Sequence, residues 1–359
     1  MKILQLNFER DWRGGERQTM FCMRAFREAG HEVHLLARAG FPLAQRAAAE
    51  GFAVHARRQP AAMAAFLALQ GGRYDILHAQ TANTLSWAVA TKWLYRRPLV
   101  FSRRTAMPVV RRQAATAFKW RHADLLATVS ESAADEPRRL GAHPVVVHSA
   151  VPDPQPADPA RLAEFARRHG LSGRKVLMTA ASLTREKDPE TLVRAVAALA
   201  RRRQDFVMVH MGADGPLRPA VERLVQELGV QPHYRYVGFQ DHPEGLYPLA
   251  DVFVLTSRQE GLSTSVLDAF LRDVPVVSTD AGGQKESLAD GRGILCRIGD
   301  HEAVAAGIGR LLDDAALRRD AIARARDYAQ REHSIREMGR RYLSLYQDVL
   351  ERTHAQRHA

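Results

Sequence analysis

Leu255-Thr-Ser-Arg-Gln-Glu-Gly-Leu-Ser-Thr-Ser-Val-Leu-Asp-Ala-Phe270 is the stretch on which the fold turns. The β-branched and apolar run Val252–Thr256 ends inside it, a turn containing Gly261 follows, and a helical pattern starts near Thr264. A buried strand passing through a glycine turn into a helix is the unit from which parallel α/β sheets are assembled. The N–H groups at such a helix start, with the positive end of its dipole, suit a phosphate or pyrophosphate. Gly261 permits close backbone approach, and Ser263 and Thr264 either cap the helix or bond the phosphate. Glu260 stands just before this anion site, a placement that makes sense for a carboxylate taking sugar hydroxyls. Asp268, one turn into the helix, reaches the two hydroxyls of a ribose. The plain alternative is a capped helix with incidental acids.

The same alternation extends outward in both directions. Val176–Ala181, Phe206–Met211, Tyr234–Val237, Val276–Thr279 and Gly293–Cys296 read as further strands, with helices over Pro189–Arg202, Leu217–Leu228, Thr264–Arg272 and Glu302–Leu312. Upstream, strands are expected at Ile3–Phe8, Val33–Leu36, Ala53–Ala56, Ile76–Ala79, Leu99–Ser102, Leu125–Val129 and Val145–His148. Helices fall between them at Arg17–Ala29, Ala61–Leu69, Thr84–Tyr95 and Glu131–Leu140. Strict alternation implies parallel sheets covered on both faces. Val151-Pro-Asp-Pro-Gln-Pro-Ala-Asp-Pro159, with four prolines, interrupts the pattern, because proline neither donates to a ladder nor continues a helix.

The expected organisation is therefore two Rossmann-like domains, 1–152 and 166–333, joined by a linker over 153–165. Two such sheets place a ligand cleft between the domains, beyond the strand C-termini. Ser334-Ile-Arg-Glu337 has the spacing of a capping box and opens a helix to about Arg352, expected to pack back towards the first domain. Residues 353–359 read as a frayed tail, in which His354 and His358 have the spacing of a metal pair on a helix.

With 359 residues, 46% hydrophobic and 26% charged, the chain is globular and long enough for two cores. It opens directly into a strand and contains no long apolar run, so neither a secretory leader nor a membrane-spanning helix is expected. Cys22 and Cys296 lie in apolar patterns and read as buried free thiols in a reducing cytoplasm. The formal charge of +12 is concentrated: from Ile76 to Ala123 there is no Asp or Glu against nine Lys or Arg. Such a field attracts phosphorylated substrates, anionic lipid or nucleic acid. Val109–His122 carries Arg111, Arg112, Lys119 and Arg121 interleaved with Phe118 and Trp120. This suits a helix lying on an anionic bilayer, against the alternative of an ordinary amphipathic helix. No recognised nucleic-acid module is present, so nucleic acid is not an expected partner. No D-x-D phrase or His/Cys spacing suits a metal, and no cofactor is expected beyond the co-substrate.

The Glu260–Asp268 segment resembles the signature of the retaining glycosyltransferases of family 4, enzymes of GT-B fold. Their phrase E-G-F-x-x-x-x-L-E-A is here Glu260-Gly-Leu262-Ser-Thr-Ser-Val-Leu-Asp268-Ala, with Asp as the second acid. The resemblance implies that Glu260 touches the donor sugar, Asp268 the ribose, and Gly261, Leu262, Ser263 and Thr264 the donor phosphates. The family's G-R-L-x-x-x-K phrase appears as Ala181-Ser-Leu-Thr-Arg-Glu-Lys187, with Ser182 at the arginine position. Lys187 matches, and Arg185 is positioned to supply the second cation; the competing reading is a solvated turn. Gly212-Ala-Asp-Gly-Pro216 resembles a G-x-G-P turn and reads as punctuation, and Asp280–Glu286 resembles a D-x-G-G-x-x-E loop. In the first domain, Trp12-Arg-Gly-Gly-Glu-Arg17 resembles the flexible glycine loop between donor phosphate and acceptor, which makes Gly15 a donor contact. His78 lies in a phrase like D-V-V-H-x-H, with a satisfied core histidine as the competing reading. Relatives place a histidine where this chain has Arg103-Arg104. These arginines are expected to line the cleft, with Arg103 meeting donor phosphate or an anionic acceptor, or else to join the basic surface.

The activity implied is transfer of a sugar from a nucleotide-diphosphate sugar to an acceptor hydroxyl with retained anomeric configuration and without metal. Lys187 and Arg103 would serve the leaving group and Glu260 the sugar. The resemblance points to lipopolysaccharide or surface-glycan synthesis on a glycan or lipid-linked acceptor, at the inner face of the cytoplasmic membrane. A nucleotide-sugar epimerase or phosphorylase of the same architecture and a non-catalytic anion or nucleotide binder are the rivals. An epimerase requires an acid/base pair that the sequence does not display.

Overall fold

The structure, a computed structural model, describes residues 1–358, with side chains to 355. It divides into two compact units, residues 1–152 with 332–359 and residues 153–331. In the first unit seven strands, β1 (Lys2–Asn7), β2 (Glu32–Arg38), β3 (Ala53–Arg57), β4 (Ile76–Ala79), β5 (Leu99–Arg103), β6 (Leu125–Thr128) and β7 (Val145–Val146), form one sheet. Their order is β3-β2-β1-β4-β5-β6-β7, every pairing parallel. In the second unit β8 (Lys175–Ala180), β9 (Phe206–Met211), β10 (Tyr234–Gly238), β11 (Val252–Leu255), β12 (Val276–Thr279) and β13 (Ile294–Cys296) form the other. Their order is β10-β9-β8-β11-β12-β13, again all parallel. Both orders reverse direction once, between β1 and β4 and between β8 and β11. At such a switch point the loops leaving neighbouring strands diverge to opposite faces and open a crevice.

Helices α1 (Gly14–Glu28), α2 (Pro42–Ala49), α3 (Pro60–Gln70), α4 (Ala82–Tyr95), α5 (Gln113–Arg121) and α6 (Glu131–Arg139) connect the strands of the first unit. In the second, α7 (Pro159–His169) precedes β8 and is followed by α8 (Pro189–Ala200), α9 (Arg218–Glu227), α10 (Thr264–Leu271), α11 (Gln284–Ser287) and α12 (His301–Asp313). The chain ends in α13 (Ala315–Glu332) and α14 (Ile335–His358). On one face of the first sheet Met20, Phe26 and Leu43 pack with Tyr342 and Tyr346 of α14. On the other, Met63 and Phe66 of α3, Leu85 of α4 and Trp120 of α5 form a separate core. α14 lies close on α1, where a methyl group on Gly339 would stand 2.6 Å from Ala25 Cβ.

Three readings of the sequence are corrected. The linker is shorter than 153–165: Asp158 caps α7, accepting from the N–H groups of Ala160 and Arg161, and Pro159 takes the first helical position. Helices α2 and α13, short on strongly periodic apolar residues, were not anticipated. The frayed tail is helical to His358; Ala359, and the side chain of His358 in the His354/His358 pair, lie outside the described residues. Both cysteines are buried. Among the described residues no helix is long and apolar enough to cross a membrane.

Candidate functional site

The switch point of the second unit is framed by two loops that the flanking strands deliver to the same place. Leaving β8, Ala181–Asp188 turns tightly, with the Lys187 N–H donating to Thr184 O (3.1 Å), before Asp188 caps α8. Leaving β11, the chain is tied to that loop: the N–H of Arg258 donates to Glu186 O (2.8 Å), and Thr256 Oγ1 donates to Asp188 O (3.0 Å). Arg258 also pairs with Asp188 at 2.8 Å. These bonds set Lys187 Nζ 2.5 Å from Glu260 Oε1, and Ser257 Oγ donates to the same oxygen at 2.7 Å. Glu260 is buried and Lys187 is a quarter exposed. Both donors converge on Oε1, so Oε2 is left without a protein donor among the described residues. A carboxylate oxygen that no protein donor engages is an acceptor open to a ligand hydroxyl.

Gly261, Leu262 and Ser263 are buried in the turn that follows. Ser263, the N-cap of α10, does not use its side chain as a cap; its Oγ bonds Ser265 Oγ at 2.9 Å. Val266 and Leu267 bury one face of this helix, and Asp268 is buried on it. The first turn of α10 therefore keeps N–H groups for an anion. Ser182 bonds Thr184 (3.2 Å), so the residue at the usual arginine position serves the loop. Arg185 is exposed and makes no ion pair among the described residues.

The structure also shows what holds the β8 loop. A methyl group on Gly212 would overlap the Ala181 carbonyl, and one on Gly215 would overlap that of Leu183. These glycines are thus more than punctuation: the Gly212–Pro216 turn lies directly against the 181–183 backbone. His210, missed in the sequence because it sits within the apolar strand Phe206–Met211, reaches Ala181 O with Nε2 (2.9 Å) and Tyr234 OH with Nδ1. Burial pushes its pKa down to about 4, so it is neutral and acts as a donor to that carbonyl. Asp280 accepts from the N–H of Ile298 (3.1 Å) and is structural.

At the switch point of the first unit Gly14 and Gly15 begin α1 instead of forming a free loop. Glu16 accepts from the N–H of Arg13 (3.0 Å), and burial raises its pKa. The structure separates the two arginines that the sequence placed together. Arg103 is buried, donates to the carbonyls of Thr105 (2.9 Å) and Met107, and lies over the Trp120 ring at 4.9 Å. Strand alternation sends Arg104 to the opposite side, where it donates to Gln80 and its Cδ stands 3.9 Å from the position of a methyl on Gly15. Arg104, not Arg103, accompanies the start of α1.

His78 is a satisfied core histidine. Tyr346 OH meets its Nδ1 at 2.6 Å, Ser102 Oγ its Nε2 at 2.7 Å, and burial holds its pKa well below the usual range. The reading of Val109–His122 as an aromatic-basic helix is also corrected. Trp120 faces inward, Lys119 bonds Ser86 (3.0 Å), and Phe118 alone of the two aromatics is exposed.

Residues 12–154 match the family described as Glycosyltransferase Family 4, and residues 163–328 match Glycosyl transferases group 1. The alpha-D-kanosaminyltransferase of Streptomyces kanamyceticus is 30% identical over 193 residues, 53% of this chain and 50% of that protein. The lipopolysaccharide core biosynthesis glycosyltransferase LpsE of Rhizobium meliloti is 33% identical over 144 residues, 40% of this chain and 41% of that one. The chain thus spans about half the length of the curated relatives it matches. Anabaena HepE, solved with UDP and glucose, superposes with a TM-score of 0.86 at 18% identity, covering 96% of this chain and 99% of that one. A glycosyltransferase from Rickettsia africae gives 0.82 at 18% identity over 97% and 98% of the two chains. With two all-parallel sheets matching throughout, the chain belongs to the glycosyltransferases of GT-B fold, its first unit of the family 4 type and its second of the group 1 type.

Proposed function

We propose that the chain transfers a sugar from a nucleotide-diphosphate donor to an acceptor hydroxyl with retention of anomeric configuration. The observation that carries this is the Lys187–Glu260 pair at the β8/β11 switch point, directly before the open N-terminus of α10. In this reading the N–H groups of Ser263 and Thr264 and the ammonium of Lys187 take the diphosphate, with Arg185 as the second cation. Glu260 Oε2 takes a sugar hydroxyl and Asp268 the ribose. Charge that develops on the departing diphosphate meets donors already in place, which is where such a site contributes most to rate. The leaving phosphate receives the acceptor proton on the face from which it departs, so neither a protein base nor a metal is needed. In the first unit, Gly15 and Arg104 offer an anion a helix start and a guanidinium.

Surface-glycan or lipopolysaccharide synthesis on a glycan or lipid-linked acceptor is the pathway proposed, in the cytoplasm with peripheral attachment at the membrane. The name of LpsE supports that pathway, and the UDP bound to HepE supports testing uridine diphosphate sugars first. Nucleotide release from uridine, guanosine and adenosine diphosphate sugars, with and without acceptor extract, tests the reaction. Anomeric protons of the product report its stereochemistry. Release that requires added magnesium, an inverted anomer, or no release from any donor defeats the corresponding part of the proposal.

A further inference from the structure

The outer surface of the α3–α4 layer has a composition that a water-facing surface does not need. α3 contains no charged residue from Pro60 to Gln70, and its outward positions are Ala61, Ala65 and Leu69, the last 77% exposed. α4 packs beside it and turns Leu85, Ala88, Thr91 and Tyr95 to the core. The positions left outside are Ala82, Asn83, Trp87, Ala90, Trp93 and Leu94, and Trp93 is 70% exposed. Two adjacent helices thus show apolar faces to solvent, a contiguous arrangement that marks an interaction surface.

The charge around it is predominantly basic, although Asp124 pairs with Lys92 of α4 at 2.7 Å. From Gly51 to Ala123 the sole acidic residue is Asp75, whose carboxylate accepts from the N–H of Lys2 at 2.7 Å. Arg58, Arg96, Arg111 and Arg112 are exposed over the same span, and Val110 and Phe118 extend the apolar surface towards α5.

We infer that this α3–α4 face docks on an anionic lipid bilayer, with Trp87, Trp93, Leu94 and Leu69 entering the headgroup boundary and the arginines at its rim meeting lipid phosphates. The chemistry favours this occupant over a second copy of the chain, because a basic rim repels its own image. Tryptophan has an apolar ring with one N–H donor, which suits it to the headgroup level. Each arginine near an anionic surface adds about 1 kcal/mol, roughly a fivefold gain in partition. The proposal moves the peripheral attachment advanced above from the 109–122 segment to a named surface, and does not depend on which sugar is transferred.

The test is co-flotation of the full chain with vesicles of phosphatidylglycerol and phosphatidylethanolamine, and with phosphatidylcholine alone. Quenching of tryptophan emission by brominated acyl chains is the second measurement. Wild type is expected to float with the anionic vesicles only and to be quenched. Trp87→Gln with Trp93→Gln lowers partition about tenfold or more, Arg96→Gln lowers it about fivefold, and donor hydrolysis without lipid stays unchanged in both. Wild type that does not float, a double variant that floats as well as wild type, or Phe118→Gln alone causing the larger loss overturns the inference. So does a concentration-dependent dimer abolished by the same double variant in the absence of vesicle binding. Flotation with the expected losses, but no hydrolysis of any donor, supports the surface and defeats the transfer reading instead.

Discussion

In the first unit the carboxyl-end half of the sheet carries Gln5, His78, Gln80 and Ser102, and these side chains bond one another. Gln80 Nε2 donates to Gln5 Oε1 at 2.7 Å, and Ser102 meets Tyr342 OH of α14 at 2.6 Å. In the second unit the same half of the equivalent strands carries only small hydroxyls, Thr179 on β8 and Ser278 and Thr279 on β12, and the charged groups appear in the loops beyond them. There Lys187 and Ser257 share one oxygen of Glu260 and leave the other open. One strand order therefore supports two uses of its switch point. Where polar groups satisfy each other they fix a helix to the sheet; where they are left half-satisfied at the rim they can hold a ligand.

The sharpest way to break this contrast is Glu260→Ala. In a site that acts by preorganised charge, loss of this group is expected to lower donor turnover roughly 100- to 1,000-fold. Urea denaturation should move little, since Lys187 keeps access to water. Turnover within a few-fold of wild type would show that the pair only holds two loops together.

Much of this was legible in the sequence. All thirteen strands correspond to stretches read as β-branched or apolar runs, because strands buried on both faces leave little room for polar residues. Glu260 and Lys187, which the structure brings together, were singled out in the sequence by the resemblance of their phrases to the family 4 signature. The different surroundings of Arg103 and Arg104 were not legible, because which of two consecutive arginines faces α1 depends on the phase of a single strand residue. Trp120 was misassigned for a similar reason: nine helical residues are too few for periodicity to define an inward face. The close approach at Gly212 and Gly215, and the role of His210, arise from contacts between β8, β9 and the loops after them, which no local pattern encodes.

Buried His210 of the second unit offers the next test. His210 titrates near 4, whereas a free histidine titrates near 6.5, so between those values the unfolded chain holds a proton that the folded chain lacks. The contribution is fully present above about 6.5 and declines as pH falls to 4, by at most roughly 3 kcal/mol. His210→Gln should flatten that part of the pH dependence of urea unfolding relative to wild type; an unchanged slope would mean His210 takes up its proton without cost. Gly215→Ala comes next. Its methyl overlaps the Leu183 carbonyl, and relief of that overlap moves the loop bearing Lys187, costing about 1–3 kcal/mol of stability. Nucleotide affinity by thermal shift should fall with it. In the first unit Tyr346→Phe removes a buried bond to His78 and should cost about 1 kcal/mol, with turnover unaltered.

Gly15→Ala has the smallest expected effect on stability and separates the two units most finely. Nothing lies within 3.9 Å of the methyl it adds, and Gly15 does not have a positive φ. It sits in the first turn of α1, where alanine is the better helix former, so the change should stabilise the chain by up to about 0.5 kcal/mol. The methyl would nevertheless occupy the space between the start of α1 and Arg104, where an anion in contact with both has to stand. A variant with raised thermal stability and reduced turnover would give this switch point a ligand role beside its structural one. Raised stability with turnover unchanged would leave the first unit's polar network purely architectural, and would confine the anion chemistry to Lys187, Glu260 and α10.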